Sequence, residues 1–352
     1  MKLALTLLAR NEADVIDANV AYHLSAGVDF VIATDNDSTD GTTEILEHYE
    51  RLGALHLIRE PSRDFQQGQW VTRMARLAAE HGADWVINAD ADEFWWPRAG
   101  DLKEALARLP ERYGVVHGVW RPFVPRPDDD SFFAERMTVR LSMHAAINDP
   151  TNPFRPARKA THRAHPLVRV RDGNHDVEGF PFVILHGWYP FEVFHLPLRT
   201  RAQVEQKYSG GARRGLRFVP GEDRARTAAE PLIVDEAELE RGLANGVLVE
   251  DGRLRDALRT LADVHRLPGD GASVRFTVPQ EGGVPLEFPR PSAVDDALFA
   301  VEAAVVAEAD DIRLRRQVDD LERRLGTVES SVGARVERRL RQLLRPGRRS
   351  HA

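Results

Sequence analysis

The chain of 352 residues contains no cysteine. This excludes disulfides, thiolate catalysis and zinc–thiolate centres, and it suits a reducing compartment. Lysine is scarce as well, present only at positions 2, 103, 159 and 207, so nearly all of the 48 basic residues are arginine. Together with the abundant alanine, that reads as codon bias and not as a functional choice. No apolar run approaches the roughly 20 residues needed to span a bilayer. The apolar opening, residues 3–9, is short, ends at Arg10-Asn11-Glu12 and lacks a cleavage site, so a first buried strand is expected there and not a leader peptide. A formal charge of -7 argues against a general nucleic-acid binder. The expectation is a cytoplasmic protein with 42% hydrophobic and 29% charged residues, long enough for one large core with appendages or for two domains.

What is present alternates between strand-like and helix-like stretches over the first hundred residues, the pattern of an α/β protein with a mostly parallel sheet. Strands are expected at 2–8, 28–33, 55–58 and 85–89, and helices at 13–26, 42–52 and 69–81, with Gly27 closing the first helix. A short helix at 101–109 and a strand at 115–124 follow. Residues 125–165 read as loop-rich, with room for a mobile lid. Two further strands are expected at 168–170 and 182–185, then a mainly helical, polar stretch from 201 to 265 and a linker with a hairpin at 268–291. The domain division expected is 1–200, 201–295, 296–345 and a basic disordered tail at 346–352.

The most informative run is Asp90-Ala91-Asp92-Glu93, which ends the apolar stretch Trp85-Val86-Ile87-Asn88-Ala89. Three carboxylates gathered at a strand end carry a charge cost that packing alone does not select. Alternation along a strand would point Asp90 and Asp92 the same way. Two converging carboxylates can hold a hard divalent cation, which in turn binds phosphate oxygens. Ligands of parallel sheets bind beyond the carboxyl ends of the strands, where the polar turn Asp35-Asn36-Asp37-Ser38-Thr39-Asp40-Gly41 also falls. That turn is no EF-hand, because Asp40 and Leu46 stand where Gly and Glu would be needed. A solvated acidic turn is the bland alternative.

The Ala9-Arg10-Asn11-Glu12-Ala13 segment, the Asp35–Thr42 turn and Asp90-Ala91-Asp92, in that order, resemble family 2-type glycosyltransferases with the GT-A fold. Asn-Glu-Ala, the His23 and Gly27 spacing and the Asp-Glu-Phe ending look closest to the subgroup near family 92. The resemblance covers roughly residues 1–200. It implies a GT-A, Rossmann-like sheet flanked by helices and a nucleotide-sugar donor. Asp35 matches the carboxylate facing the nucleotide base, Arg10 and Glu12 fall where the loop borders base and ribose, and Asp90 and Asp92 match the metal-binding Asp-x-Asp. Mn²⁺ or Mg²⁺ is implied, with His195 as a third ligand and His186 as its rival. Thr200, Gln203 and Lys207 follow His195 and Arg199 in a pattern like the family's late segment, which puts Arg199 and Lys207 on the donor. Asp176 and His175, in Gly173-Asn174-His175-Asp176, and Glu93 are three candidates for the base that takes the acceptor's proton. Inversion at the sugar is an expectation from the resemblance alone.

Other features remain open at the level of sequence. The stretch Arg155, Arg158, Lys159, Arg163, Arg169 and Arg171 is either a clamp for diphosphate or an anionic acceptor, or a solvated loop. Trp95, Trp96 and Trp120 stack on a sugar or fill the core. Leu314, Val318, Leu321, Leu325, Val328 and Val332 recur in steps of four and three, the spacing of a coiled-coil seam, so self-association through 310–345 is expected. The Arg-rich end is suited to anionic lipid, which would fit a glycan or lipid-linked acceptor at a membrane. The rival readings are a nucleotidyltransferase that makes sugar nucleotides and a non-catalytic scaffold that binds them.

Overall fold

The computed structural model describes residues 1–62, 66–124, 126, 131–143, 156–179, 181, 183–199, 203, 236–263, 275–288 and 292–343. Residues Met1–Phe299 form one compact unit and Ala300–Ala352 a second.

The first unit is built on a nine-stranded mixed sheet in the order β3-β2-β1-β4-β8-β6-β12-β5, with the two-residue strand Val183–Ile184 pairing β6. Strands β1 (Leu3–Ala9), β2 (Phe30–Asp35), β3 (Leu55–Arg59) and β4 (Trp85–Asp90) are parallel. Every residue of β1 is buried, as an apolar run covered on both faces should be. Helices α1 (Ile16–Ser25), α2 (Thr42–Arg51) and α3 (Gln67–Glu80) connect these strands. The α3 face Trp70, Val71, Met74, Ala75 and Ala78 packs into one core with Ala4, Ile32, Val86, Val115 and Ala160 of the sheet. Helix α4 (Leu102–Ala107) begins in a capping box between Asp101 and Glu104.

Two strands run against the rest. β8 (Arg158–Arg163) is antiparallel to both β4 and β6 (Tyr113–Pro122), and β5 (Glu93–Pro97) is antiparallel to β12 (Phe191–His195). Strand β12 is itself parallel to β6. As a result, β1, β2, β4, β6 and β12 end on the sheet edge where β5 and β8 begin.

This arrangement corrects two expectations. Residues 158–163 form no part of a loop or lid; they are a central strand. Asp90 is the last residue of β4 and Asp92 lies in the tight turn before β5, so strand alternation does not relate the two.

Later segments return to the sheet domain. β13 (Leu248–Glu250) pairs with β7 (Val139–Leu141), and helix Arg253–Leu261 packs near α1. A single helix, Ala293–Leu343, begins in the first unit and makes up the described part of the second. The basic end beyond residue 343 lies outside the described residues, as does the stretch 204–235. No described helix is long and apolar enough to cross a membrane.

Candidate active site at the carboxyl edge of the sheet

The turn that carries the acidic run is held by α1. The fully buried Asn19 amide donates to Ala91 O (3.0 Å) and Glu93 O (2.8 Å). One turn on, His23 Nδ1 meets Asn19 O at 2.9 Å, and its Nε2 accepts the Trp95 N–H at 3.2 Å. With a backbone N–H occupying Nε2, the ring is neutral, and burial lowers its pKa to about 4. Leu196 N donates to Asp92 O at 2.9 Å and closes the turn from the β12 side.

Each carboxylate of the run has its own surroundings. Asp90 Oδ1 accepts from Gln67 Nε2 (2.9 Å) and Asn174 Nδ2 (3.2 Å), and its Oδ2 accepts from Lys159 Nζ (2.9 Å). Glu93 is fully buried; its Oε1 accepts from Trp120 Nε1 (2.9 Å) and lies 2.6 Å from Lys159 Nζ. Burial pushes the Glu93 carboxyl up while the Lys159 ammonium pulls it down, and for the lysine the two carboxylates outweigh burial and raise it. Asp92 Oδ2 faces His195 Nε2 at 3.7 Å and Arg199 Nη1 at 3.9 Å. The His195 ring stacks on Trp120, with centroids 4.1 Å apart, and Lys159 Nζ lies 5.2 Å from the centre of the same indole.

Sequence reasoning overlooked Lys159, which it left inside a generic basic stretch. That stretch is dispersed in the fold: Lys159 is buried between two carboxylates, Arg158 lies 3.3 Å from Asp176, and Arg163 stacks on Trp85. Its signal was scarcity. In a chain that writes almost every cation as arginine, a lysine supplies the compact charge that fits between two close carboxylates. Asn19 gave no signal, because its task is defined only by backbone carbonyls distant in sequence.

Arg199 is expected on the donor but is fully buried among the protein's own acids. It donates from Nε to Asp14 (2.7 Å), from Nη2 to Asp14 (2.9 Å) and Glu12, and from Nη1 to Leu196 O (2.8 Å). These partners hold its pKa above the usual value despite burial. Arg199 and Glu12 thereby tie the loop after β1 to the segment after β12. Lys207 lies outside the described residues.

At the far end of the edge, Asp35 closes β2 almost fully buried. It accepts from Ser38 N (3.2 Å) and from the Thr43 hydroxyl. Arg10, exposed, reaches Asn36 Oδ1 at 3.4 Å. Asn11, with φ 55°, fastens the first loop to the second: its N–H donates to Ser38 Oγ (3.0 Å) and its Oδ1 accepts from Thr39 N (2.8 Å). The motif residues of the Asp35–Thr42 turn thus build the loop pair.

The three candidate bases differ in what their lone pairs do. Both Glu93 oxygens are engaged, Oε2 by the Asp90 N–H at 3.2 Å. Asp176 Oδ1 accepts from Val177 N (3.0 Å) and lies 3.6 Å from His117 Nε2, while Oδ2 faces Arg158. Burial raises Asp176, but His117, the backbone N–H and Arg158 outweigh it and hold the carboxyl below its usual range. His175 Nδ1 meets the Arg158 carbonyl at 2.8 Å, which makes it the donor and leaves Nε2 as an acceptor. Burial lowers His175 below the ordinary imidazole value. Its ring meets the edge of Trp120 at 6.2 Å. Trp95 and Trp96 are core residues; Trp120 alone of the three joins the site. His186 lies beside His117, with ring centroids 6.5 Å apart.

Among the described residues, no group of three or more His, Asp and Glu side chains gathers as a metal cage. Two donors do face each other, Asp92 and His195. A cation of the Mg²⁺ or Mn²⁺ kind commonly takes one or two protein ligands and completes its shell with water and substrate phosphate, so this pair fits such an ion. Asp90, with three donors on its two oxygens, fits less well.

Residues 8–115 match the family model of glycosyltransferase family 92. The match covers less than a third of the chain. The matched segment carries Arg10, Glu12, Asp35, Asp90, Asp92 and Glu93, and it stops short of Lys159, His175, His195 and Arg199. Comparison with curated proteins returned no match. Among solved structures, S. aureus TarS is 19% identical over 36% of this chain and 22% of that one, at a TM-score of 0.28. TarS 1–349 in complex with UDP is 14% identical over 56% of this chain and 60% of that one, at a TM-score of 0.33. The chain therefore spans less than two thirds of these structures.

Proposed function

We propose that the protein is a glycosyltransferase that moves a sugar from a nucleoside-diphosphate sugar to an acceptor hydroxyl, with inversion and with the help of a divalent cation. The observation that carries this reading is the pairing of Asp92 with His195 beside the Asp90–Lys159–Glu93 cluster, at the sheet edge that Asp35 also borders.

Asp35 would receive the nucleotide base, and Asp92 and His195 would hold Mn²⁺ or Mg²⁺. Bound there, the cation supplies charge neutralisation for the departing diphosphate. Lys159 offsets part of the charge of Asp90 and Glu93, which lowers the repulsion an anionic donor meets, and Asp92 is the one carboxylate of the run not paired with it. His175 takes the acceptor's proton on Nε2; its Nδ1–H, fixed on the Arg158 carbonyl, sets the tautomer. Trp120 touches both imidazoles and is the surface on which the reacting sugar would lie.

Release of free nucleoside diphosphate from a panel of nucleotide sugars tests this reading. Turnover is expected with Mn²⁺ and not with a chelator. Asp92→Asn should lower it by about a hundredfold or more, and His175→Ala should lower kcat with donor binding unchanged. Turnover that is indifferent to both substitutions would remove these assignments.

A further inference from the structure

A groove of about 950 Å³ runs along α3, between its outer face and the segment Arg169–Asp172. Four guanidinium groups line it, from Arg73, Arg76, Arg169 and Arg171, against two carboxylates, Asp172 and Glu178. Most of these charges are already engaged: Arg73 with Glu60 at 3.1 Å, Arg76 Nε with the Val168 carbonyl at 2.9 Å, and Arg171 with Glu178 at 3.0 Å. Asp172 Oδ1 accepts the Gly68 N–H at 2.9 Å. Arg169 is exposed and has no ion-pair partner among the described residues. The Arg171–Glu178 pair is also largely exposed, and such pairs contribute little and exchange readily for a better anion.

The groove shares a wall with the acidic site. Gln67 donates to Asp90 from one end of its amide and accepts the Gly173 N–H at 3.0 Å on the other. Asn174, which also donates to Asp90, belongs to the same short turn as Asp172. Val170 N donates to Thr72 Oγ1 at 2.9 Å, and a side chain at Gly68 would meet Asp172 and the Val170 carbonyl at 2.9 and 3.1 Å. The α3 face and this turn are therefore tied together by hydrogen bonds, and the same Gln67 and Asn174 that make these ties also hold Asp90.

We infer that the groove binds the acceptor and that the acceptor carries phosphate. This rests on the transferase reading above. Planar guanidinium forks suit phosphate oxygens, and a row of them suits a chain or headgroup bearing more than one charge.

The test uses the full chain, a soluble glycerol-phosphate oligomer and phosphatidylglycerol vesicles as probes, and the double variant Arg169→Glu/Arg171→Glu. The wild type is expected to bind one of the two probes with an affinity that falls as salt rises. The variant should lose at least tenfold, and Arg169→Lys/Arg171→Lys should retain most of it. Binding of the oligomer assigns the phosphate to a soluble polymer, and binding of the vesicles alone assigns it to a lipid headgroup. Equal binding by wild type and charge-reversed protein overturns the inference, as does preference for a single-stranded RNA oligonucleotide over both probes. Thermal stabilisation by nucleotide sugar is measured alongside. If it persists while the groove variant changes nothing, the inference fails and the transferase reading stands; if it is absent while phosphate binding still depends on Arg169 and Arg171, the transferase reading is what fails.

Discussion

Lys159 of β8 and Glu93, the first residue of β5 and next to Asp92, form a buried ion pair, Nζ to Oε1 at 2.6 Å. The pair sets the electrostatics of the edge, because the same ammonium lies 2.9 Å from Asp90. Breaking a buried pair leaves an uncompensated charge and costs about 3–5 kcal/mol. Lys159→Met should therefore lower unfolding stability by that amount in a urea titration. Adding Glu93→Gln should restore a large part of it, because the orphaned charge is then gone. Additive losses in the double variant would show that the two residues act independently.

Arg199 makes a similar prediction for a different reason. Its guanidinium holds Glu12, Asp14 and the Leu196 carbonyl together from three directions. Arg199→Lys keeps the charge but not the fork, so it should lose stability and donor affinity together. If Arg199→Lys weakened donor binding at unchanged melting temperature, the residue would touch the donor directly and the structural assignment would be wrong.

Two buried histidines make the fold sensitive to acid. His23 and His162 are both fully buried, and burial lowers each pKa to about 4. In the unfolded chain each titrates near 6.5, so the unfolded state binds more protons as pH falls from about 6.5 to about 4. Stability is present above that window and drains through it, by about 3 kcal/mol per histidine. His23→Gln should flatten the pH dependence of the urea midpoint by about half of the histidine share. An unchanged slope would contradict the neutral, Trp95-bonded ring.

The strand and helix order of the first hundred residues was legible because each buried strand is an apolar run and each helix an amphipathic one. β8 was not, since Arg158-Lys159-Ala160-Thr161-His162-Arg163 contains one apolar residue and yet lies at the centre of the sheet. Its polar groups are satisfied across the sheet: Lys159 by two carboxylates, and Thr161 Oγ1 by the Val86 carbonyl at 2.9 Å. Hydrophobic periodicity cannot register a strand whose burial is compensated by partners elsewhere in the sequence. The acidic run was legible as a site, but the division of labour within it was not, because Asp92 sits in a turn whose shape is set by Asn19.

The carboxyl-terminal helix invites a direct test of the coiled-coil expectation. Val318, Leu321, Leu325 and Val328 recur at heptad spacing and are each more than half exposed. We expect a second copy of the helix to cover them. Sedimentation should give a dimer or higher species for the full chain and a monomer after Leu321→Glu/Leu325→Glu. The same mass for both would end that expectation.

The central claim is that this edge of the sheet receives a nucleotide sugar through Asp92 and His195. Its most direct test is the thermal stability of the protein against a panel of nucleoside-diphosphate sugars, with Mn²⁺ and with a chelator. A donor at about a hundred times its dissociation constant stabilises by roughly 2.7 kcal/mol. The account predicts a shift of that order for at least one donor, dependent on Mn²⁺ and lost in Asp92→Asn. No shift with any donor in Mn²⁺, or an equal shift in Asp92→Asn, would contradict it.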